Sequence, residues 1–373
     1  MSLEKKSDVN FEFFESKAKE IELSKSVTAQ RRKLLSRRVE QLDLGSITSI
    51  RDLVSAWAKT SIQSRAIASC AQVYENMIAD KDRPTIMMGL SGALIAGGLR
   101  KVIRDLLEAG FVDVLVSTGA IVYQDFYQAQ GFAHFIGTPN IDDGLLHDLY
   151  IDRIYDTYVD EIGFVKTDDV VGKIAANLEP RKYSTREFMT ELGKAAEKDP
   201  NSILGTALRH GVPIFVPAIA DSSIGIGLAG LYRASKKSGK MMMHLDTIRD
   251  NFEIAQIVLK SKKTGSIYIS GGVPKNYIND AAVMLDYTPG HAYSFQITAD
   301  APHWGGLTGS TLDEAKSWGK ISKKATKATA YVEATIGLPL VSAYVLQSVD
   351  LARHRKRITF DWDSDTLREL RIT

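Results

Sequence analysis

The chain has 373 residues, enough for one large or two ordinary domains, and its 44% hydrophobic and 25% charged fractions match a globular protein in water. Its 47 basic and 45 acidic side chains leave a net charge of +2, so charge gives no case for nucleic acid or membrane as a main partner. One cysteine, Cys70, excludes an internal disulfide framework, and no apolar run approaches the ~20 residues of a spanning helix. The polar start, Met1 to Asp8, has no signal-peptide core, and a cytoplasmic location is expected.

Residues 1–47 read as a charged helical arm. Leu23, Leu34, Leu35 and Leu42 suggest helical segments in need of a partner surface, and Arg31-Arg32-Lys33 and Arg37-Arg38 suit a solvated face. Two helices follow over 48–80. Thr48 or Ser49 caps the first, which carries Ile50, Leu53, Val54 and Trp57. The second runs from Ile62 and holds Cys70 as a packed core thiol.

The pattern then changes to strand, small-residue turn, helix. Thr85–Gly89 is a buried parallel strand leading into Leu90–Gly98, and a helix spans Leu99–Glu108. Val112–Val116 is a second strand, ending in Ser117-Thr118-Gly119-Ala120. Residues 131–170 look irregular, and Tyr183–Glu187 opens a further helix. Later strands are expected at Val212–Ala218, Ser266–Ser270, Tyr293–Ile297 and Lys327–Val332. A helix is expected from Asp246 to Ser261, another around Leu338–Leu346, and the basic run Arg353–Arg357 should be solvated.

Five of these strands end in small or polar residues: Gly89, Thr118-Gly119, Asp221-Ser222-Ser223, Gly271-Gly272 and Thr298-Ala299. A doubly wound, mostly parallel sheet gathers such ends on one edge, where cofactors bind. Small residues there let backbone N–H groups face a phosphate, although a GxGxxG fingerprint is absent and a merely tight turn fits the spacing equally. The seven histidines show no metal-ligand spacing, so no metal is expected. Beyond the last turn lie Asp300–Gly309 and Thr311–Ile321. Lys320 beside Trp318 there is either a solvated lysine or a desolvated one that sheds its proton and acts as a nucleophile.

These ordered segments resemble the deoxyhypusine synthase family from about Leu53 to Leu346. The most specific are Ser317-Trp318-Gly319-Lys320-Ile321 after Asp313-Glu314-Ala315, and Val112–Val116 with its turn. Phe215-x-Pro217-Ala218-x-x-Asp221 and Gly271-Gly272-Val273 follow the same order. The resemblance implies a Rossmann-like, NAD-binding domain over 48–350, a C-terminal tail over 351–373, and a homotetramer with sites at subunit interfaces. It implies oxidation of spermidine to an imine and capture of the aminobutyl group by Lys320. The group then passes to a lysine of a hypusine-type translation factor, or to a free diamine such as putrescine, as in homospermidine synthesis. Glu314 and Trp318 would join Lys320 in the reaction. NAD would lie along Ser91, Gly92, Ala93, Leu94, Ile95 and Ala96, then Thr118, Gly119 and Ala120. Asp221, Gly271, Gly272, Thr298, Ala299, Glu333 and Ala334 would complete its site.

The sequence departs from the family where cationic amines would be held. Tyr123 and Gln124 stand at paired glutamates, Ile226 at an aspartate, Asn276 at a histidine and Glu333 at an aspartate. Trp304-Gly305-Gly306-Leu307-Thr308-Gly309 replaces an acidic turn. A desolvated ammonium–carboxylate contact is worth about 1.5–3 kcal/mol, so losing three should abolish spermidine binding in the same pose. A different amine or pose is implied, with Tyr123, Gln124, Asn276, His303, Trp304, Gly305 and Leu307 as substrate contacts. A non-catalytic NAD- or amine-binding homologue and a simple amine dehydrogenase are the competing readings.

Overall fold

Six segments of the computed structural model pair into one parallel sheet: β1 (Thr85–Leu90), β2 (Val114–Ser117), β3 (Ile214–Phe215), β4 (Thr264–Ile269), β5 (His291–Ile297) and β6 (Ile321–Ala330). Their spatial order is β6-β5-β4-β1-β2-β3, the order of a doubly wound Rossmann-type sheet. The structure describes residues 21–373. Two compact units divide the chain, residues 1–42 and 43–373.

The sheet forms where it does because both of its faces are covered. Along β1, Ile86, Met88 and Leu90 point into one apolar cluster, while Met87 points into the other. On β4, Ile267 and Ile269 face the first cluster and Tyr268 the second. Both strands are therefore buried at every position, with apolar or small residues at most of them, as a parallel strand under two helical layers requires. Helices Ile62–Ala79 and Arg100–Glu108 supply the first layer; Thr247–Lys260 and Gly272–Ala281 supply the second. Cys70 is fully buried, and burial pushes its thiol pKa up, as expected of a packed thiol.

Several helix starts follow local chemistry. Ser49 accepts from the Asp52 amide, and Ser184 with Glu187 closes a capping box at the head of Thr185–Ala196. In the first unit, Lys25–Leu34 is helical with no buried side chain, so Arg31, Arg32 and Lys33 are solvated there. The polar chain start lies outside the described residues.

Three expectations need correction. Residues 131–170 are not irregular. They hold a three-stranded antiparallel sheet (His134–Ile136, Ile151–Ile154, Thr157–Asp160) and the helices Asp143–Asp148 and Glu161–Ala176. These strands are short and half exposed, so they lack the apolar alternation that marks a strand in sequence. The last sheet strand starts at Ile321 rather than Lys327, its early part being polar and bulged against β5. The Arg353–Arg357 run is not all solvated. The Arg355 side chain is buried, donates to Asp113 at 3.2 Å, and is pulled down to a pKa of about 10 by burial. Arg83 grips the same Asp113 through two nitrogens, at 2.7 and 2.8 Å. Beyond it, an antiparallel hairpin (Ile358–Asp363, Thr366–Ile372) lays Leu367 into the second apolar cluster.

One buried acid makes stability pH-dependent. Asp250 accepts from the amide and hydroxyl of Thr185, both at 2.7 Å, yet burial pushes its carboxyl up to about 7. In the unfolded chain it titrates near 3.8. Between these values the folded state binds more protons, so stability falls as pH rises through that window, by a few kcal/mol in order of magnitude. The midpoint of urea unfolding should drop between pH 5 and pH 8. Asp250→Asn should flatten that slope, and an unchanged slope would remove Asp250 as its source.

Candidate active site

The carboxyl ends of β1 and β4 are adjacent, and the chain leaves them for opposite faces. The helix after β1 packs on the first apolar cluster and that after β4 on the second. This is the switch-point crevice of a doubly wound sheet. Ser91 knits its rim, donating to the Gly271 carbonyl at 3.0 Å and accepting from the Gly271 amide at 3.0 Å. Ser270 is held at φ 61°, an uncommon left-handed conformation for a non-glycine residue, with its amide on the Ile297 carbonyl.

The helices that follow β1 to β4 all start without a side-chain cap: Leu99, Thr118, Ser222 and Gly271 make no capping bond. Other helices, such as those headed by Ser49, Ser184, Ser202 and Thr311, are capped. Uncapped amides at a sheet edge suit an anionic ligand. The Thr118 hydroxyl is buried there without a partner among the described residues. A Cβ on Gly119 would collide with Ser222, and one on Gly271 would sit 2.7 Å from the Thr308 backbone. The backbones at this edge are therefore packed as closely as glycine allows. These features fit a phosphate-bearing cofactor.

The expected cofactor residues differ in what they offer. Ser91, Gly92, Ala93, Ala96, Thr118, Ala120, Asp221 and Ala299 are at least partly exposed. Leu94 and Ile95 point into the core, so only their backbone faces outward chemistry. Thr298 and Ala334 are buried at the ends of β5 and β6. Glu333 caps its own helix, accepting from the Thr335 amide at 2.8 Å and from the Thr335 hydroxyl.

A pocket of about 240 Å³ collects Asn276, Asn279, Gly305, Gly306, Leu307, Ser310, Glu314, Ala315, Trp318 and Lys320. All three expected reaction residues and three expected substrate contacts, Asn276, Gly305 and Leu307, thus share one cavity. Thr311 caps the short Leu312–Ser317 helix that carries Glu314, and Gly319 at φ 75° turns the chain into β6. Lys320 enters from the amino-terminal end of the sheet, since Ile321 pairs with His291 at the start of β5. Its ammonium reaches back to Asn276 Oδ1 at 3.1 Å, one turn inside the Gly272–Ala281 helix. The Glu314 carboxylate is in no ion pair among the described residues and is open to an incoming ammonium.

Trp318 is 67% exposed, and its ring lies 5.5 Å from the Lys320 ammonium, which meets Asp280 at 2.7 Å. Trp304 is exposed and leans on His303, and neither lines the pocket. Tyr123 and Gln124 are buried away from it. Tyr123 donates to the Phe164 carbonyl at 2.8 Å, and burial raises its phenol pKa, with Asp168 adding to the rise. Gln124 accepts from the Ala96 amide at 3.2 Å. Ile226 is exposed in a separate groove with Val165, between helices Glu161–Ala176 and Ser223–Ser238.

Two charged residues escaped the sequence reading. Asp280 could have been found from Asn276, which sits one turn earlier on the same helix face. Lys275 had no local signal. It is buried beneath the 305–310 turn and donates to Gln296 Oε1 at 3.0 Å, Ser310 Oγ at 2.9 Å and the carbonyls of Leu307, Thr308 and Ser310. Burial brings its ammonium down to about 8, with the Glu314 and Asp300 carboxylates acting the other way.

Strand order, switch-point crevice and adjoining pocket define a Rossmann-like α/β protein with a lysine at a cavity. The chain belongs to the deoxyhypusine synthase family, whose model matches residues 52–345. It is 42% identical over 325 residues to probable deoxyhypusine synthase 2 of Methanosarcina mazei, covering 84% of this chain and 91% of that protein. It is 41% identical over 315 residues to the deoxyhypusine synthase-like protein of Elusimicrobium minutum, covering 82% and 83%. A solved structure assigned as a deoxyhypusine synthase from Entamoeba histolytica shares the fold, with TM-score 0.58 and 18% identity over 88% of this chain and 100% of that one. Family membership makes the chain a transferase at the level of class.

Proposed function

We propose that the protein is an NAD-dependent transferase that moves an aminobutyl group from a polyamine through an imine on Lys320. The gathering of Lys320, Glu314, Trp318 and Asn276 in one pocket supports this reading. NAD, held by the uncapped helix starts and the Thr118 hydroxyl, would accept a hydride from the donor and return it to the final imine. Glu314 receives the substrate ammonium, and exposed Trp318 offers a ring face to its chain. The Lys320 amine attacks the imine carbon, and the donor's remaining amine departs as the lysine imine forms. A second amine then takes the group by the reverse exchange.

The acceptor is a free amine or a lysine of a hypusine-type factor. The buried Tyr123 and Gln124 favour the free amine, or a donor other than spermidine, because neither position supplies a carboxylate to a second ammonium. The exposed apolar residues Ile162, Val165 and Ile226 support assembly into a homotetramer with shared sites. The single buried cysteine suits a reducing cytoplasm.

The test is to incubate the protein with NAD and spermidine, putrescine or agmatine, follow NADH absorbance, and quench with borohydride. The expected result is amine-dependent absorbance and a reduced adduct on the Lys320 peptide. NAD binding with neither signal would establish the non-catalytic binding reading instead.

A further inference from the structure

The Gly272–Ala281 helix presents two side chains to Lys320, one turn apart. Asp280 Oδ1 lies 2.7 Å from the ammonium nitrogen and Asn276 Oδ1 lies 3.1 Å from it. Asn276 also donates through Nδ2 to Asp280 Oδ2 at 2.8 Å. The three groups close a small ring in which the carboxylate is held by its second oxygen and the lysine by its only reactive atom. Asp280 sits in the last turn of its helix, where the helix dipole disfavours negative charge. Helix stability therefore gives no reason for an acid at this position. The other acids nearby are differently engaged: Asp313 pairs with Lys316 and Lys327, and Glu314 lines the pocket with no ion pair among the described residues.

We propose that Asp280 is a catalytic acid–base residue that takes a proton from Lys320 and delivers it to the departing amine. The proposal rests on the reading of Lys320 as the nucleophile. The Lys320 ammonium passes one proton to the Asp280 carboxylate, and the free amine adds to the carbon of a protonated substrate imine. A carbon–nitrogen bond forms, and a second proton moves from the lysine nitrogen to the substrate nitrogen. The original carbon–nitrogen bond breaks with its electron pair on the departing amine, which takes the proton held by Asp280. A protonated lysine imine and a departing ammonium result, with charge and hydrogens conserved and Asp280 again a carboxylate. Asn276 is a positioning residue that fixes the carboxylate through its second oxygen.

Aldehydes form the same lysine imine without nucleotide or oxidation, so the step can be isolated. The full-length chain is mixed with butanal, quenched with borohydride at timed intervals, and the adduct on each lysine is measured by peptide mass spectrometry. The exposed Lys323 and Lys324 serve as references. In the wild type, Lys320 should react ahead of the references. Asp280→Asn should slow its labelling about 10²-fold with the references unchanged, and Asp280→Glu should restore part of the rate. Asn276→Ala should slow it about 10-fold, and it carries the test if Asp280→Asn does not fold. A carboxylate that merely anchors the ammonium predicts the opposite, because removing it frees the amine. Equal or faster labelling of Lys320 in these variants overturns the proposal. Wild-type labelling of Lys320 no faster than that of the references overturns the nucleophile reading itself.

Discussion

Replacing Lys320 by alanine removes amine transfer and the borohydride-trapped adduct while leaving nucleotide binding intact. The expected loss of transfer is about 10³-fold or more, because no other side chain in the pocket supplies an amine at its position. Lys275 is no substitute. It is buried under the 305–310 turn and committed to the carbonyls and side chains that hold it. Nucleotide binding should persist because the uncapped helix starts and Thr118 lie in other segments of the sheet edge. Lys320→Arg sharpens the experiment. It keeps a cation opposite Asp280 but stays protonated and forms no imine. An arginine variant as inactive as the alanine variant assigns the loss to chemistry rather than to a broken ion pair. Amine-dependent NADH formation within tenfold of wild type in either variant, without transfer, would point to a dehydrogenase that releases an aldehyde and needs no lysine.

The parts of the chain that could be read beforehand are those where one physical demand dominates. β1 and β4 are buried on both faces, so Thr85–Leu90 and Thr264–Ile269 carry unbroken runs of mostly apolar or small residues. Small and polar residues at their ends signalled the crevice, and the strand order realises it. The motif around Lys320 was legible through its neighbours in sequence, and the pocket assembles Glu314, Trp318 and Asn276 about it. What stayed hidden depends on partners far along the chain. Asp280 meets a lysine forty positions later. Tyr123 and Gln124 look available on paper, yet their helix Gly119–Ala129 is buried along most of its length. The C-terminal hairpin alternates weakly because only Ile358 and Leu367 are buried in it.

The largest stability effect is expected from Asp125→Ala. This carboxylate is fully buried and joins three helices. It accepts from Arg100 Nε at 2.6 Å, from the Ser202 hydroxyl at 2.9 Å, and from the Ile203 and Leu204 amides at 2.9 Å each. Those two amides open the Ile203–His210 helix, whose positive end the carboxylate also meets. Alanine leaves two amides and a hydroxyl without acceptors and takes one of two carboxylates from Arg100, leaving Asp199 at 2.7 Å. Breaking a buried pair from one side costs about 3–5 kcal/mol, a large part of the ~5–15 kcal/mol by which a native domain is stable. Asp199→Ala should cost much less, because Asp199 is partly exposed and Asp125 still holds the guanidinium. The double variant Arg100→Ala with Asp125→Ala should be less unstable than the sum of its parts, since it leaves no buried charge unpaired. Urea unfolding of the wild type, Asp125→Ala, Asp199→Ala, Arg100→Ala and the double variant measures these terms. An Asp125→Ala cost below about 1 kcal/mol would mean that the region relaxes to let water satisfy the freed groups. The effect reaches the site as well. Asp125 lies on the helix that begins at Thr118 and Gly119, so loosening it moves the amides and the orphan hydroxyl at the crevice. Nucleotide affinity should therefore fall in Asp125→Ala even at temperatures where the chain stays folded.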